Sequence, residues 1–526
     1  MPLKVGSNNI GDVYVGNSKI DKIYVGNNLV YTAETPVPAQ DFILNVQRET
    51  RDSYIGSTTY KDDSYIAIYV KVKSGGTATV TYDNVTQTLT SSTTLRFGKY
   101  RGTDDGTATS GQLTISGDYT GTEAVSDNTS KTSSSYVSCI TGIVQWFGGQ
   151  VTDMINMFIG QKVLTGDIIL PQHIKTISAG AFGGTRISSI YAPHVKVIEA
   201  YGLGDIKTLS NAVFHSDGLT NIGNQAFAGC GVISNWSLVL QRDFFIDNSA
   251  FSTTLNNLLQ PTVFKTVYYK GTNDDWVTIE HFGAGGGTSP FASNTNLYFN
   301  NTIVTSMTIP STITKIYPST FNNMLFLNTA ITIPDTVTEI GAYAFYGVTV
   351  NLNVNFNNIT KYGAYSFYGT NVTNVTIPNT VTDLGGYVFY GCPNLTTINY
   401  NFSGTAGKYL FANASNSRTV AVSIGSSVTE IPETFLYSSS NNRNLNIVVI
   451  PSNITAIGGN AFYNCIISTV KFLHTDITTL STVGASAFLN NGTDVQYQFA
   501  DTQANVEAWG QFTTTNFTNT TYYPIS

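Results

Sequence analysis

The sequence predicts a mainly β protein with short helical turns: a repeat solenoid, preceded by a small β-sandwich and an N-terminal β-meander. Three observations point there. A phrase of about two dozen residues recurs through most of the chain, with one large apolar residue locked to one phase. A run of short, alternating strand-like segments comes before it. A ten-residue repeat of a different kind opens the chain.

Residues 1–32 carry the shorter repeat. Val5-Gly6-Ser7-Asn8-Asn9-Ile10-Gly11-Asp12-Val13-Tyr14 is followed by Val15-Gly16-Asn17-Ser18-Lys19-Ile20-Asp21-Lys22-Ile23-Tyr24, and a truncated copy from Val25 to Tyr31 closes it. Gly-Asn pairs between β-branched and aromatic runs signal hairpin turns, so a meander of three or four strands is expected. So small a ribbon is marginal alone in water. It needs a partner, either copies of itself or a larger assembly. Residues 33–40 hold Pro36 and Pro38 in a polar stretch and read as a semi-rigid spacer. Residues 41–130 read as a β-sandwich, with strands expected at Phe42–Val46, Tyr65–Val72, Ala78–Tyr82, Thr94–Phe97 and Gln112–Ser116. Ser126–Ser135 is a polar loop before the solenoid.

The repeats fill blocks 136–265 and 303–500. The cleanest copies are Ile333-Pro334-Asp335-Thr336-Val337-Thr338-Glu339-Ile340-Gly341-Ala342-Tyr343-Ala344-Phe345-Tyr346-Gly347 and the matching run from Ile377 to Cys392. Phe345, Phe367, Phe389 and Phe411 recur every 22 positions. Phe321, Phe435, Phe462 and Phe488 continue the series at slightly longer spacing, and Phe182, Phe227 and Phe251 carry it toward the N-terminus. The β-branched run before each proline is a strand, and proline ends it because it has no N–H for the ladder. Val337 and Ile340 are apolar anchors, Gly341 permits a turn that a β-carbon would hinder, and Ala344-Phe345 sits in a helical turn. One unit cannot bury its own Phe and Ile, so neighbours must stack into one apolar column. Ala192–Tyr201 lacks the Ala-Phe pair and residues 412–423 lack a clear proline, so looser packing is expected at both.

This phrase resembles the BspA-type leucine-rich repeat of bacterial surface proteins and some phage proteins, over roughly Ile140 to Tyr497. Tyr268-Tyr269-Lys270-Gly271-Thr272, with Trp276 and Ile279, looks like the segment that interrupts or closes such arrays. Residues 266–302 are therefore expected as an insertion or cap. Val506-Glu507-Ala508-Trp509, within residues 501–526, looks like a closing helix. The opening decapeptide resembles the N-termini of phage and prophage tail and fibre proteins, where it joins the appendage to the virion. That resemblance implies attachment to other virion proteins through residues 1–32 and a homo-oligomer, with a trimer favoured. The plainer alternative is a hairpin packed on the next domain.

Composition narrows the function classes. Among 526 residues only 11% are charged, below the usual quarter, and the net charge is −7 with no basic block. Nucleic-acid binding, which needs clustered Lys and Arg, is therefore not expected. No run of 18 apolar residues exists, so no helical membrane insertion is expected. The start, Met1-Pro2-Leu3-Lys4-Val5-Gly6, lacks a signal-peptide pattern, which favours a virion location over export. Cys230, Cys392 and Cys465 each stand three positions after a repeat phenylalanine and, like the isolated Cys139, are expected as free thiols.

Chemistry is sparse. His173, His194, His215, His281 and His474 show no metal-ligand spacing, and there is no nucleophile elbow or phosphate loop. Asp62-Asp63 and Asp104-Asp105-Gly106 could hold calcium but lack alternating acidic spacing, so solvated turns are the better reading. Gly283–Gly287 reads as a flexible loop. No enzyme activity, metal or cofactor is expected. One surface feature is a candidate for ligand contact: Tyr343, Tyr365 and Tyr387 stand two residues before the core Phe of successive repeats, and Tyr346, Tyr368 and Tyr390 one residue after it. Stacked coils would align them into ladders that could stack on sugar rings. The favoured alternative is that they simply pack between turns. The reading as a whole is a bacteriophage fibre or appendage protein (tail fibre, baseplate or head fibre) whose solenoid adheres to a host surface or polysaccharide. A BspA-like cell-surface or secreted adhesin, or a purely architectural virion component, is the alternative.

Overall fold

The computed structural model describes residues 13–15, 18–20, 22–25, 28–32, 40–55, 58–100, 103–125, 136–149, 151, 153–230, 237–247, 250, 266–283, 295–414, 419–439, 443–492 and 494–525. The spacer at 33–39, the polar run at 126–135, Phe251 and Ala284–Gly287 lie outside them. The chain divides into two compact units: Met1–Ser216 with Ala226–Val232, and Asp217–Gln225 with Ile233–Ser526.

In the first unit the described residues of the decapeptide repeat form two hairpins. β1 (Val13–Val15) pairs antiparallel with β2 (Ser18–Ile20), and β3 (Lys22–Val25) pairs with β4 (Asn28–Thr32). Each pair of strands flanks one Gly-Asn in the sequence, so each repeat can satisfy its own ladder.

The sandwich is built from β5 (Phe42–Gln47), β6 (Glu49–Ile55), β7 (Thr58–Val72), β8 (Ala78–Tyr82), β9 (Val85–Leu89), β10 (Thr93–Tyr100), β11 (Thr103–Asp104), β12 (Ser110–Gly117), β13 (Tyr119–Ala124) and β14 (Ile140–Gln145). One sheet has the order β14-β5-β12-β8-β9; the other runs β11-β10-β7-β13, with β6 also on β7. Period-two alternation buries Phe42, Leu44 and Val46 on β5, and Ala78, Val80 and Tyr82 on β8. The repeat resemblance puts Ile140 in the solenoid, but β14 pairs antiparallel with β5 and belongs to the sandwich. Without β14, that side of β5 would be an open strand edge, and pairing it outweighs the weak repeat phase there. Buried Gln161 clips this strand to the first coil. Its Oε1 accepts from the N–H of Cys139 (2.8 Å) and Ile140 (2.9 Å), and its Nε2 donates to the Val137 carbonyl (2.7 Å).

The first coils stack Phe158 on Phe182 at 5.2 Å. The stretch lacking Ala-Phe does not loosen. Leu203 takes the Phe slot, fully buried, and Gly202 takes the Ala slot, accepting the Phe182 N–H at 2.9 Å.

In the second unit the Tyr-Tyr-Lys-Gly-Thr segment is a rung of the stack. Thr266–Tyr269 lies between Ser237–Ile246 and Asn296–Phe299 as parallel strands. Helix α1 (Asn273–Thr278) follows, started by a capping box between Thr272 and Asp275. Its Trp276 is wholly buried and donates its indole N–H to the Thr320 carbonyl (2.8 Å), beside the first ring of the main column.

That column runs through Phe321, Phe345, Phe367, Phe389 and Phe411, all fully buried, with centroids 5.0–5.3 Å apart and interplanar angles of 4–18°. The Thr of the phrase ties coil to coil: the Thr360 and Thr382 hydroxyls donate to the carbonyls of Thr338 and Thr360 (3.1 and 3.2 Å). Gly341, Gly363, Gly385 and Gly407 are required for close approach, not for a left-handed turn. A β-carbon at Gly363 would lie 2.3 Å from the Ala342 nitrogen. Their N–H groups donate to the preceding coil's carbonyls at Ile316, Ile340, Tyr362 and Leu384 (2.8–2.9 Å).

Sequence spacing puts Phe435 in the column, and the structure corrects this. Glu430-Ile431-Pro432-Glu433-Thr434-Phe435-Leu436-Tyr437 aligns without a gap on Glu339–Tyr346, so Leu436 fills the Phe slot and Phe435 the Ala slot. The hydrogen bonds agree: Phe411 N–H reaches the Phe435 carbonyl (3.1 Å) and Leu436 N–H the Ala461 carbonyl (2.7 Å). Phe435 accordingly lies edge-on to Phe411 (81°) and Phe462 (75°). The column resumes through Phe462, Phe488 and Phe517 at 5.0 and 5.2 Å. The closing helix α2 (Gln503–Trp509) precedes Phe517, and Tyr522–Pro524 adds a last parallel strand to Gln496–Phe499.

Candidate functional site

Each regular coil turns twice through left-handed backbone, two residues before and two residues after its core ring. The later position holds Gly347, Gly369, Gly391 or Asn413 in successive coils (φ 50–71°), residues that tolerate it. The earlier one holds Ser319, Tyr343, Tyr365, Tyr387, Tyr409, Thr434, Asn460 and Ser486 (φ 55–61°). A bulky side chain there is costly, about 1–2 kcal/mol. Four consecutive tyrosines thus occupy a position that suits Asn or Ser.

Their rings form one column. Tyr343–Tyr365, Tyr365–Tyr387 and Tyr387–Tyr409 are stacked at 4.7, 4.6 and 4.9 Å. Tyr346–Tyr368 and Tyr368–Tyr390 form a second column at 4.6 and 4.9 Å. The columns touch: Tyr343 and Tyr346 are 5.5 Å apart, Tyr387 and Tyr390 5.6 Å. All six predicted residues are therefore brought together, with Tyr409 as a seventh that the sequence reading missed although it shares the 22-residue spacing. The rings are half-buried. The faces between stacked rings are covered by each other, and a gap of under 5 Å between centroids admits no sugar. What the patch presents is edges and hydroxyls. Burial pushes the Tyr368 hydroxyl up to about 12, and Tyr343, Tyr346, Tyr365 and Tyr387 upward too. The Asn413 amide donates to the Tyr390 hydroxyl oxygen at 2.5 Å.

Other candidates resolve into structure. The four cysteines are buried free thiols. Cys230, Cys392 and Cys465 donate to the carbonyls of Leu203, Phe367 and Leu436 (3.0–3.3 Å), the core residue of the coil before. Burial pushes Cys139 and Cys230 up to about 12, so neither is a ready nucleophile. His281 is buried flat against Phe244 (4.1 Å, 2°), and burial lowers its pKa as it does those of His173 and His474. Asp105 organises its own turn, accepting from Gly98 N–H (2.8 Å), Thr107 N–H (3.0 Å) and the Thr107 hydroxyl (2.8 Å). Among the described residues no group of three or more His, Cys, Asp or Glu side chains is arranged to hold a metal, and no helix is long and apolar enough to cross a membrane.

Sequence reasoning also missed a polar file on the strand side. Thr332 pairs with Asn353, and Thr376 with Asn399 and then Ser423. The Asn353 and Asn399 amides lean on the Thr332 and Thr376 hydroxyls (3.1 and 3.4 Å). The signal was present at Thr376, Asn399 and Ser423 as the polar residue before the Ile or Tyr that ends the strand.

These coils can be compared with known families. The BspA type leucine rich repeat region matches residues 156–273, 294–418, 328–442 and 360–494, more than half the chain. The chain belongs to the BspA-type leucine-rich repeat family. No curated protein matches it. Solved structures similar to this BspA-type chain include a leucine rich cell surface protein from Faecalibacterium prausnitzii, at 17% identity over 72% of this chain and 93% of that one (TM-score 0.42). The pneumococcal vaccine antigen PcpA is 15% identical over 70% of this chain and 93% of that one (TM-score 0.39). A leucine-rich repeat protein from Bacteroides ovatus is 17% identical over 72% and 77% (TM-score 0.28).

Proposed function

We propose that the chain is a BspA-type surface adhesin and that its solenoid makes the contact with a cell surface or its polysaccharide. The observation that carries this reading is the double tyrosine patch on consecutive BspA-type coils. Four of its seven rings are kept at a left-handed position where nearby coils hold Ser, Thr or Asn. Tyrosine offers a large contact surface for little side-chain entropy, which suits an interface. With the ring faces taken, contact runs through edges and hydroxyls. With 11% charged residues, binding owes little to steering and resists salt.

The test is retention of full-length protein on bacterial and epithelial cells at low and high salt, beside Tyr365→Ser and Tyr387→Ser. Each substitution is expected to weaken binding by about 1 kcal/mol or more if it removes a contact centre. Failure to adhere to any cell surface at either salt would sink the reading.

A second reading is supported by the decapeptide repeat at residues 4–31: an appendage of a phage virion, anchored to other virion proteins and trimerised through residues 1–32. Immunogold microscopy of the native source separates a virion from a cell-surface location. Light scattering on the full chain and on a Δ1–40 variant tests the oligomer: a full-length monomer would remove that part.

A further inference from the structure

We propose that the strand side of the coils between residues 374 and 425 binds an uncharged sugar, one or two rings long, in a depression rimmed by amides and hydroxyls. Three parallel strands, Asn374–Ile377, Thr397–Tyr400 and Ala421–Ile424, put Thr376, Asn399 and Ser423 in one file across the sheet. Neighbouring strands lie about 4.8 Å apart, so the file spans roughly 10 Å. Asn379 and Asn401 stand at the corner where the chain leaves the sheet, with Ile377 and Pro378 as apolar lining, and the cavity volume is about 240 Å³. That is below the roughly 300–1,000 Å³ typical of drug-sized ligands.

The chemistry of the lining selects the ligand. None of the nine lining residues is Asp, Glu, Lys, Arg or His. A charged ligand would give up hydration with no countercharge to replace it. An apolar ligand would cover amides and hydroxyls without pairing them, at about 1–3 kcal/mol for each buried group. A sugar ring carries hydroxyls that both donate and accept at its rim and C–H bonds on its face. The file alternates in the same way. Asn399 Nδ2 lies 3.4 Å from the Thr376 hydroxyl oxygen, which leaves its Oδ1 as an acceptor and the Thr376 O–H as a donor. Asn401 fixes its Oδ1 on the Ser427 N–H (2.9 Å) and presents its amide nitrogen. Pro378 supplies an apolar surface for the C–H face.

This proposal rests on the surface-adhesion reading for its biological sense but differs from it in place, since it does not use the tyrosine patch. Full-length protein is titrated by calorimetry with maltohexaose, cellohexaose, chitohexaose and mannohexaose, with polygalacturonate and heparin as charged probes. One neutral hexaose is expected to bind. Asn379→Ala with Asn399→Ala should weaken it at least tenfold, and Ser423→Trp, which fills the depression, should abolish it. Thr81→Ala with Thr86→Ala, an exposed pair in the sandwich, should leave it unchanged. Circular dichroism melts of each variant show whether the fold is kept, and a surface change such as Asn399→Ala is not expected to move the melt. Binding of none of the four hexaoses, preference for either polyanion, or wild-type affinity in the depression variants overturns the proposal. Retention on cells in the face of that result leaves the adhesion reading standing, so the two failures are distinguishable.

Discussion

The coils from 316 to 411 and those from 431 to 490 use one phrase with different results. In the first set the period is 24 from Phe321 to Phe345 and 22 from there to Phe411, the rings lie nearly parallel and the tyrosines stack. In the second the period is 26, from Leu436 to Phe462 to Phe488, and the left-handed position returns to Thr434, Asn460 and Ser486. Between them the ring column and one short sheet are interrupted, while backbone bonds from Phe411 to Phe435 and from Asn413 to Tyr437 still join the coils. The short sheet from Lys315–Ile316 to Asp383–Leu384 ends, and a new one begins at Glu430–Ile431. Pro432 stands where the coils of Phe345, Phe367, Phe389, Phe411, Phe462 and Phe488 have Gly, and it has no N–H to donate back. The difference teaches that the coil needs apolar volume in its column and permissive backbone at its corner. It does not need tyrosine there, so the patch is an addition to the fold rather than a condition of it.

The largest expected effect sharpens the column. Phe367→Ala should cost about 3–5 kcal/mol through lost burial and a cavity. Because coils couple to neighbours, hydrogen exchange should rise between about residues 340 and 411 while β5–β14 stay protected. Uniform loss of protection would break the comparison. Next is the interruption. Phe435→Ala removes a ring packed on Tyr400 at 4.9 Å and edge-on to two column rings, and should cost about 3 kcal/mol. Adding Leu436→Phe restores the Ala-Phe order and should recover part of the loss in urea melts. A double variant weaker than the single would show that the slot is not interchangeable.

Glycines give a smaller, paired effect. Gly363→Ala drives a β-carbon to 2.3 Å from backbone and should cost about 1–3 kcal/mol. Gly391→Ala meets nothing within 4 Å and bears only the left-handed penalty at φ 68°, about 1 kcal/mol. Equal costs would mean that coil spacing is not what fixes Gly363. Alkaline pH probes the patch. The fold favours protonated Tyr368, whose value rises from 10.0 to about 12, so its contribution is complete below pH 10 and is lost as pH rises through 12. Tyr368→Phe should flatten that part of the stability–pH curve. The smallest change is Tyr387→Asn. Relief of left-handed strain and loss of stacking each amount to about 1 kcal/mol, so thermal stability should move little. A large loss would make the tyrosines structural after all.

The column, the strands before Pro334, Pro378 and Pro451 and the alignment of the six tyrosines were legible in the sequence because they follow from phase alone, whereas the run Ser306–Ile309 before Pro310, which reads as a strand, forms none. A residue repeated every 22 positions meets its own copies whatever the details of the coil. Three things were not legible. Phe435 and Leu436 are both apolar, so spacing alone could not say which filled the slot; an ungapped reading of Glu430–Tyr437 could have. Ile140 has repeat-like neighbours, but an open strand edge elsewhere in the unit claimed it. The polar file of Thr376, Asn399 and Ser423 is contributed by strands more than 20 residues apart.

The sequence by itself determined that the coils stack, since no coil can bury its phenylalanine alone, and that the family is BspA-type. Only the tertiary structure decided what the stack exposes. Coils brought within hydrogen-bonding reach of one another close the tyrosine rings face to face, leaving edges where a sequence reading offers faces. The same close spacing gathers hydroxyls and amides of three strands into one depression. Both outcomes depend on the few ångströms between coils, a distance that periodicity implies but side-chain and backbone packing sets.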